Sequence, residues 1–183
     1  MISKIDVAEE ALWECLEYLE AFPPKRAAER ISSRLSKLDR AARMSVLMGI
    51  LDEAEADYFS PIFLDWWPDF EFPHRWDNLA DRLRVAHGAV PAYNFMSADN
   101  RVFFDSLPNN VTIYRGASRE FALGISWTTD IAKADWFARR FEEDTAAVFS
   151  GTVCKRDVWA VFTDRKENEI LCDPLVVRLG KQM

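Results

Sequence analysis

The chain of 183 residues is poor in several groups on which protein chemistry commonly rests. It has two histidines, His74 and His87, so a Ser-His-Asp triad or a histidine-rich metal site has little to build on. Three cysteines, Cys15, Cys154 and Cys172, are odd in number and unrelated in spacing. They indicate neither a disulfide framework nor a zinc site, and a reducing, cytoplasmic setting is expected. No apolar run approaches the ~20 residues of a membrane span, and the first residues lack the basic-then-apolar layout of a signal peptide. Internal repeats and low-complexity tracts are missing as well. Positive charge is short: 23 Lys and Arg against 30 Asp and Glu leave a formal net charge of −7. That is the wrong sign for a general binder of phosphate backbones.

What remains is ample for a folded core. Apolar residues are 49% and charged residues 29% of a chain long enough for one compact domain, or one domain with a helical appendage. The charge is unevenly spread. Residues 1–110 carry 12 Lys and Arg against 19 Asp and Glu, whereas residues 111–183 carry 11 of each. Two pieces are therefore expected, a helical part over 1–110 and a β-rich part over 111–183.

Hydrophobic periodicity supports the division. From Val7 to Phe22, Ala8, Leu12, Cys15, Leu16, Leu19 and Phe22 recur at helical spacing with glutamates opposite. Asp6 reads as the cap of this helix and Pro23-Pro24 as its stop. Further helices are expected over 27–35, after a cap at Asp39, and around 76–85 and 97–107. Residues 52–71 hold seven acidic side chains and no Lys or Arg, interleaved with Tyr58, Phe59, Phe63, Trp66, Trp67 and Phe70. The commoner reading puts these aromatics in the core and the acids in water. The sharper one makes the segment an acidic-aromatic surface for a basic protein. Beyond Asn110, strands are expected over 111–114, 147–154, 158–163, 168–172 and 175–179, with a helix over 130–141. The fold class is α+β.

Three short segments of the β-rich part concentrate the chemistry. Val111, Ile113 and Arg115 share one face of a strand, so a guanidinium extends a buried row and needs a partner. That partner is an anionic ligand or, as a structural alternative, a carboxylate at the strand end. Gly116 beside it permits close approach of a ligand to the backbone. Next, Gly124-Ile125-Ser126-Trp127-Thr128-Thr129 leads into the helix near Asp130. Thr128 or Thr129 suits its N-cap, while Ser126 lies too early and keeps its hydroxyl for other work. Last, alternation in Arg165-Lys166-Glu167-Asn168-Glu169-Ile170-Leu171 puts Glu167 and Glu169 on one strand face, where they can act on one ligand or stand solvated at an edge.

Ile-Tyr-Arg-Gly, then Ser-Trp-Thr-Thr before a helix ending Trp-Phe-Ala, then Glu-Asn-Glu-Ile-Leu, resembles the Arg-Ser-Glu clade of mono-ADP-ribosyltransferases, the Glu-x-Glu group. The resemblance spans roughly 111–177, about two-fifths of the chain. It departs from the family's Ser-Thr-Ser triplet at Trp127. It implies a split β-sandwich core and NAD as co-substrate, with no metal. By that resemblance Glu169 stabilises the cationic ribose left when nicotinamide departs, as a carboxylate does in glycoside hydrolysis. Arg115 grips a phosphate or ribose, Gly116 the nicotinamide carboxamide, and Ser126 ribose or Glu169 itself. Thr128 supports that region, Phe137 or Tyr114 stacks on nicotinamide or packs in the core, and Glu167 directs an acceptor, hinting at arginine. The implied partner is a macromolecule, a protein before a nucleic acid, with no membrane. The implied setting is that of a bacterial toxin, an effector or a phage-encoded modifier. Two other readings stay open: an NAD glycohydrolase using the same residues, and a non-catalytic module acting through its acidic-aromatic segment.

Overall fold

The computed structural model describes residues 4–69, 78–89, 91–140, 146–163 and 167–182. His74, Phe70, Arg165 and Lys166, and the first residues of the helix expected around 76–85 and the last of that over 130–141, lie outside the described residues. Seven α-helices and six strands are described: α1 Lys4–Ala21, α2 Pro24–Leu35, α3 Arg40–Glu53, α4 Ala56–Trp66, α5 Leu79–Ala89, α6 Ala98–Ser106, β1 Asn110–Ser118, β2 Ser126–Thr128, α7 Ile131–Arg139, β3 Ala146–Cys154, β4 Val158–Phe162, β5 Glu169–Cys172 and β6 Arg178–Gln182. The α+β class holds. No described helix is long and apolar enough to cross a membrane.

Two compact units are formed, Met1–Glu71 with Val85–Phe95, and Phe72–Arg84 with Met96–Met183. The change from helical to β-rich composition near Asn110 is thus not the boundary between units. Residues 96–110 belong with the strands because side-chain hydrogen bonds tie them there. The carbonyl oxygen of the Asn100 side chain accepts from both the N–H and the hydroxyl of Thr163, at 3.0 and 2.9 Å. Lys155 Nζ donates to the carbonyls of Asp105 and Leu107.

In the helical unit, α1 begins at Lys4, ahead of the expected cap Asp6, and ends at Ala21. Pro24 then occupies the first turn of α2, a position where its missing N–H costs nothing. Asp39 caps α3 as expected, its carboxylate accepting from the N–H of Ala42 at 3.0 Å. The stretch 56–66 is helix α4, and its aromatics face inward: Phe59, Phe63, Trp66 and Trp67 are buried with Ile31, Leu35, Leu47 and Ile50. Asp52, Glu53, Glu55, Asp65 and Asp69 stay exposed. In the described part of 52–71 the commoner reading is therefore correct, because the large apolar rings gain most from leaving water.

The six strands form one antiparallel sheet in the order β4-β5-β2-β1-β3-β6. β1 and β3 pair along nine consecutive residues, and β2 pairs with β5 along all three of its own. Between β1 and β2 the register holds a single pair, Tyr114 with Thr128. The sheet is thus two three-stranded halves joined at one point. The last strand lies later than the sequence predicts, over 178–182 instead of 175–179. Asp173 caps Leu175 and Pro174 opens a 3-10 turn, which removes 174–176 from the ladder.

Two tethers hold this unit together. Gly116 of β1 lies against the backbone of α7: a Cβ there would stand 1.9 Å from the Ala134 carbonyl oxygen and 2.4 Å from the Ala138 nitrogen. The helix also buries Ala134 and Ala138 with Val148, and Tyr114 packs on that cluster. Arg84 of α5 grips Asp173 through two hydrogen bonds, Nε at 2.5 Å and Nη2 at 2.9 Å. The Arg84 bond holds the Asp173 carboxyl below the usual carboxylate range; the Leu175 N–H adds to this, while burial opposes it.

Gly116→Ala should lower the unfolding free energy by about 3 kcal/mol, since a helix backbone must move to admit one methyl group. The control Gly88→Ala, where nothing lies within 4 Å of the new Cβ, should raise it by about 0.5–1 kcal/mol. Urea midpoints read both, and equal effects would contradict the packing argument.

The folded pKa of Asp173 lies below the unfolded value of about 3.9, so its contribution is complete above that value and is lost as pH falls through the folded pKa. Urea midpoints measured against pH should therefore drop in the acid range below about pH 4, and Asp173→Asn should flatten that limb. An unchanged acid limb in the variant would show that the pair contributes no pH dependence.

Candidate active site

Where β1 and β2 part after their one shared register pair, the side chain of Arg115 enters the gap. Alternation along β1 puts Val111 and Ile113 in the core, both buried, with Arg115 next in the row. Its guanidinium does not end on a carboxylate. Nε donates to the carbonyl of Phe121 at 2.9 Å and Nη1 to that of Ser126 at 2.6 Å. Two backbone carbonyls that face no strand partner are satisfied by one side chain. The structural alternative of a carboxylate pair is thereby corrected: the Arg115 contacts are to main chain, and Nη2 has no hydrogen-bond partner among the described residues. Burial pushes the guanidinium down to about 10, with the nearby Glu169 carboxylate opposing that fall, so it remains charged at neutral pH.

Gly124 completes the seat. A Cβ at this position would lie 2.7 Å from Cζ and 2.8 Å from Nη2 of Arg115, so the guanidinium rests on the glycine. The indole N–H of Trp127 holds the Gly124 carbonyl at 2.7 Å. Neighbouring strand residues face opposite ways, and Trp127 accordingly points away from Ser126 and Thr128 into the core, where it is buried. A bulky apolar residue in the middle of the triplet therefore leaves the hydroxyl face intact.

Ser126 and Thr128 share that face. β2 pairs with β5 so that Ser126 stands opposite Leu171 and Thr128 opposite Glu169. The Ser126 hydroxyl donates to Oε1 of Glu169 at 2.5 Å across 43 residues of sequence. The Thr128 hydroxyl donates to the carbonyl of Glu167 at 2.5 Å and accepts from the N–H of Asp130. Asp130 itself caps α7, its carboxylate accepting from Ala132 at 2.8 Å, so neither Thr128 nor Thr129 is the cap.

The pair Glu167 and Glu169 departs from the expected alternation. β5 begins at Glu169, and Asn168 before it has φ of 44°, in the left-handed region. In an extended strand, successive carbonyls point to opposite sides. Here both are received on the β2 side, that of Glu167 by the Thr128 hydroxyl and that of Asn168 by the Thr129 N–H at 3.2 Å. The left-handed residue makes this possible, and Asn tolerates that conformation better than other side chains except Gly. Glu167 and Glu169 are thus not two rungs of one strand face. Glu169 reaches Ser126 with its carboxylate, while Glu167 enters the site through its carbonyl.

Arg115, Ser126, Thr128 and Glu169 converge. Other expected residues have different surroundings. Gly116 presents the side that a Cβ would occupy to α7, so its need for glycine arises from helix packing. Tyr114 packs on Ala134, Ala138 and Val148, the core alternative of the two open to it. Phe137 is half-buried and meets the exposed Trp136 edge-on at 5.0 Å. Sequence reasoning passed over Gly124, Trp127 as a hydrogen-bond donor, and Asn168; the signal available was an Asn between two acids just before an apolar strand. Cys172 behind Glu169 is buried and its thiol is pushed up to about 12 by that burial, which makes it a poor nucleophile. Among the described residues no three His, Cys, Asp or Glu side chains are grouped to hold a metal ion. Comparison of the chain with family models, curated proteins and solved structures gives no match.

Replacing Asn168 tests the turn. Asn168→Gly should leave stability within about 0.5 kcal/mol, whereas Asn168→Val should cost about 1–3 kcal/mol because a β-branched residue resists positive φ. Thermal or urea unfolding of the two variants decides it, and equal losses would show that the left-handed conformation is not what the position requires.

Proposed function

We propose that the protein is an NAD-dependent mono-ADP-ribosyltransferase, with ADP-ribose passing to a macromolecular acceptor. The hydrogen bond from the Ser126 hydroxyl to the Glu169 carboxylate, beside the Arg115 guanidinium, carries this reading. These three groups come from β2, β5 and β1 and meet where the sheet divides. The single register pair between its halves supports a split β-sandwich as the finer fold.

The donor set suits the chemistry. Cleaving the bond between nicotinamide and ribose develops positive charge on the sugar, and a fixed carboxylate stabilises it more than water does. Glu169 is that carboxylate, and Ser126 fixes its orientation in advance. Nicotinamide leaves with the electron pair of the broken bond and becomes neutral. An acceptor atom then forms the new bond to the sugar and gives up its proton. Arg115 supplies positive charge for the diphosphate through Nη2, while Nε and Nη1 keep it in place. In this reading NAD is met by one cation at Arg115, one carboxylate at Glu169 and the Ser126 hydroxyl, while the buried Thr128 hydroxyl serves the turn at Glu167 and the start of α7. Glu167 lies two residues from Glu169 and is the acceptor-side group in this reading.

The test is incubation with NAD labelled in its ADP-ribose part, with and without cell lysate, beside Glu169→Ala. Label on a macromolecule is expected, with the rate falling by roughly 10²–10³ in the variant, and Glu169→Gln, which keeps an acceptor for the Ser126 hydroxyl, should show a comparable fall. Free ADP-ribose without any labelled band would indicate a glycohydrolase. Absence of NAD consumption under both conditions would end the reading.

A further inference from the structure

Three consecutive carbonyls where the sheet divides have three different donors. That of Gly124 accepts from the Trp127 indole at 2.7 Å, that of Ile125 from the N–H of Cys172 at 3.0 Å, and that of Ser126 from Arg115 Nη1 at 2.6 Å. Only the second bond is between main-chain groups. The other two come from side chains, and both bear on the guanidinium: one fixes the glycine on which it rests, the other receives it.

Trp127 stands where the Ser-Thr-Ser triplet has its middle threonine, and a threonine is too short for what the indole does here. The ring leaves β2 on the core face and reaches the far half of the sheet. A Cβ at Gly151 of β3 would lie 3.5 Å from Cζ3 of the indole and 3.5 Å from Cγ1 of Ile113. β1 stands between β2 and β3, so the ring passes beneath β1 at Ile113, the register partner of Gly151. Across the division itself the register offers one pair, Tyr114 with Thr128. The indole is thus a second connection between the halves, buried at 2% exposure and packed at its far end.

An indole held in this way is a fixed reference for Gly124. A Cβ on that glycine would stand 2.7 Å from Cζ and 2.8 Å from Nη2 of Arg115, so displacing Gly124 displaces the guanidinium. Nε and Nη1 are spent on main-chain carbonyls, which leaves Nη2 for a ligand.

Resting on the transferase reading above, we propose that Trp127 is a positioning residue for NAD binding: by holding Gly124 it sets where Arg115 Nη2 meets the diphosphate. Trp127 touches no substrate and acts through Arg115. Any carbonyl would satisfy a buried indole N–H. Here the acceptor belongs to the residue that seats the cation. The diphosphate takes no part in the bond that breaks, so its grip is equal in ground and transition states. Weakening that grip raises KM and leaves kcat in place.

The experiment follows initial rates of NAD consumption by the full chain, with dialysed lysate supplying acceptor. Replacing the Trp127 indole by benzothiophene keeps the ring's size and loses only its N–H. KM for NAD should then rise roughly tenfold, with kcat within about threefold of the parent. Trp127→Phe should act in the same direction, and Gly124→Ala should raise KM at least as much by lifting the guanidinium. Val153→Ala, a core truncation on β3, should lower the thermal midpoint while KM stays within about twofold. A KM within about twofold of the parent in the benzothiophene variant overturns the positioning role, as does a loss confined to kcat. An equal rise in Val153→Ala also overturns it, since general loosening would then suffice. In each of these cases the parent still consumes NAD, and the transferase reading stands. A parent that consumes none removes both together.

Discussion

A guanidinium brought into the interior must have its N–H groups received and its charge balanced, and the second unit is arranged around that demand at Arg115. The strand row Val111, Ile113, Arg115 drives two apolar side chains into the core and brings the arginine in behind them. At that level β1 and β2 have already separated, so the carbonyls of Phe121 and Ser126 lack ladder partners and accept from it instead. Gly124 must then be a glycine to leave room for the group, and Trp127 pins Gly124 from the core. Glu169 supplies the balancing negative charge. A divided sheet and a charged site are in this sense one feature. The arginine closes the gap between strands, and the gap gives the arginine its surroundings.

The carboxylate side depends on a second local constraint. Glu169 is aimed by the Ser126 hydroxyl, and its backbone is set by the turn before it, where left-handed Asn168 lets two consecutive carbonyls face β2. Thr128 serves this turn on one side and the start of α7 on the other through the N–H of Asp130. The same α7 rests on Gly116, one residue from Arg115. Helix, hydroxyl strand and acidic turn are thereby fastened to each other within a few residues of the proposed chemistry. Preorganisation of this kind keeps a carboxylate in place while charge develops opposite it.

Acidity divides along the chain in a way that bears on partners. The surplus belongs to residues 1–110, yet the densest acidic-aromatic run spends its described rings on the core of the helical unit. Exposed apolar side chains occur in both units, among them Trp13 at 63% in the helical one and Leu175 at 79% in the other. Aromatic content of a segment therefore says little about recognition until burial is known. An apolar residue is informative when it is left in water by a backbone that is held fast.

Much of this was legible locally. Periodicity showed the helices α1, α2, α3 and α7, Asp39 announced its own cap, and the alternation in Val111–Arg115 put the arginine at the end of a buried row. The resemblance to a known family, not a local pattern, singled out Arg115, Ser126 and Glu169, whose segments are far apart in sequence. The helices, the cap and the strand row depend on neighbours within a few positions, which a sequence displays directly. Others were beyond it. β2 is three residues long, too short for a period of two to register, and the acidic-aromatic mix of α4 left a surface reading open beside the commoner core one. Which group receives Arg115, whether Glu167 and Glu169 share a face, and why Gly116 is glycine were decided only by tertiary structure. Each depends on contacts across many residues, or on one backbone angle at Asn168, and pairing in space rather than spacing along the chain sets those.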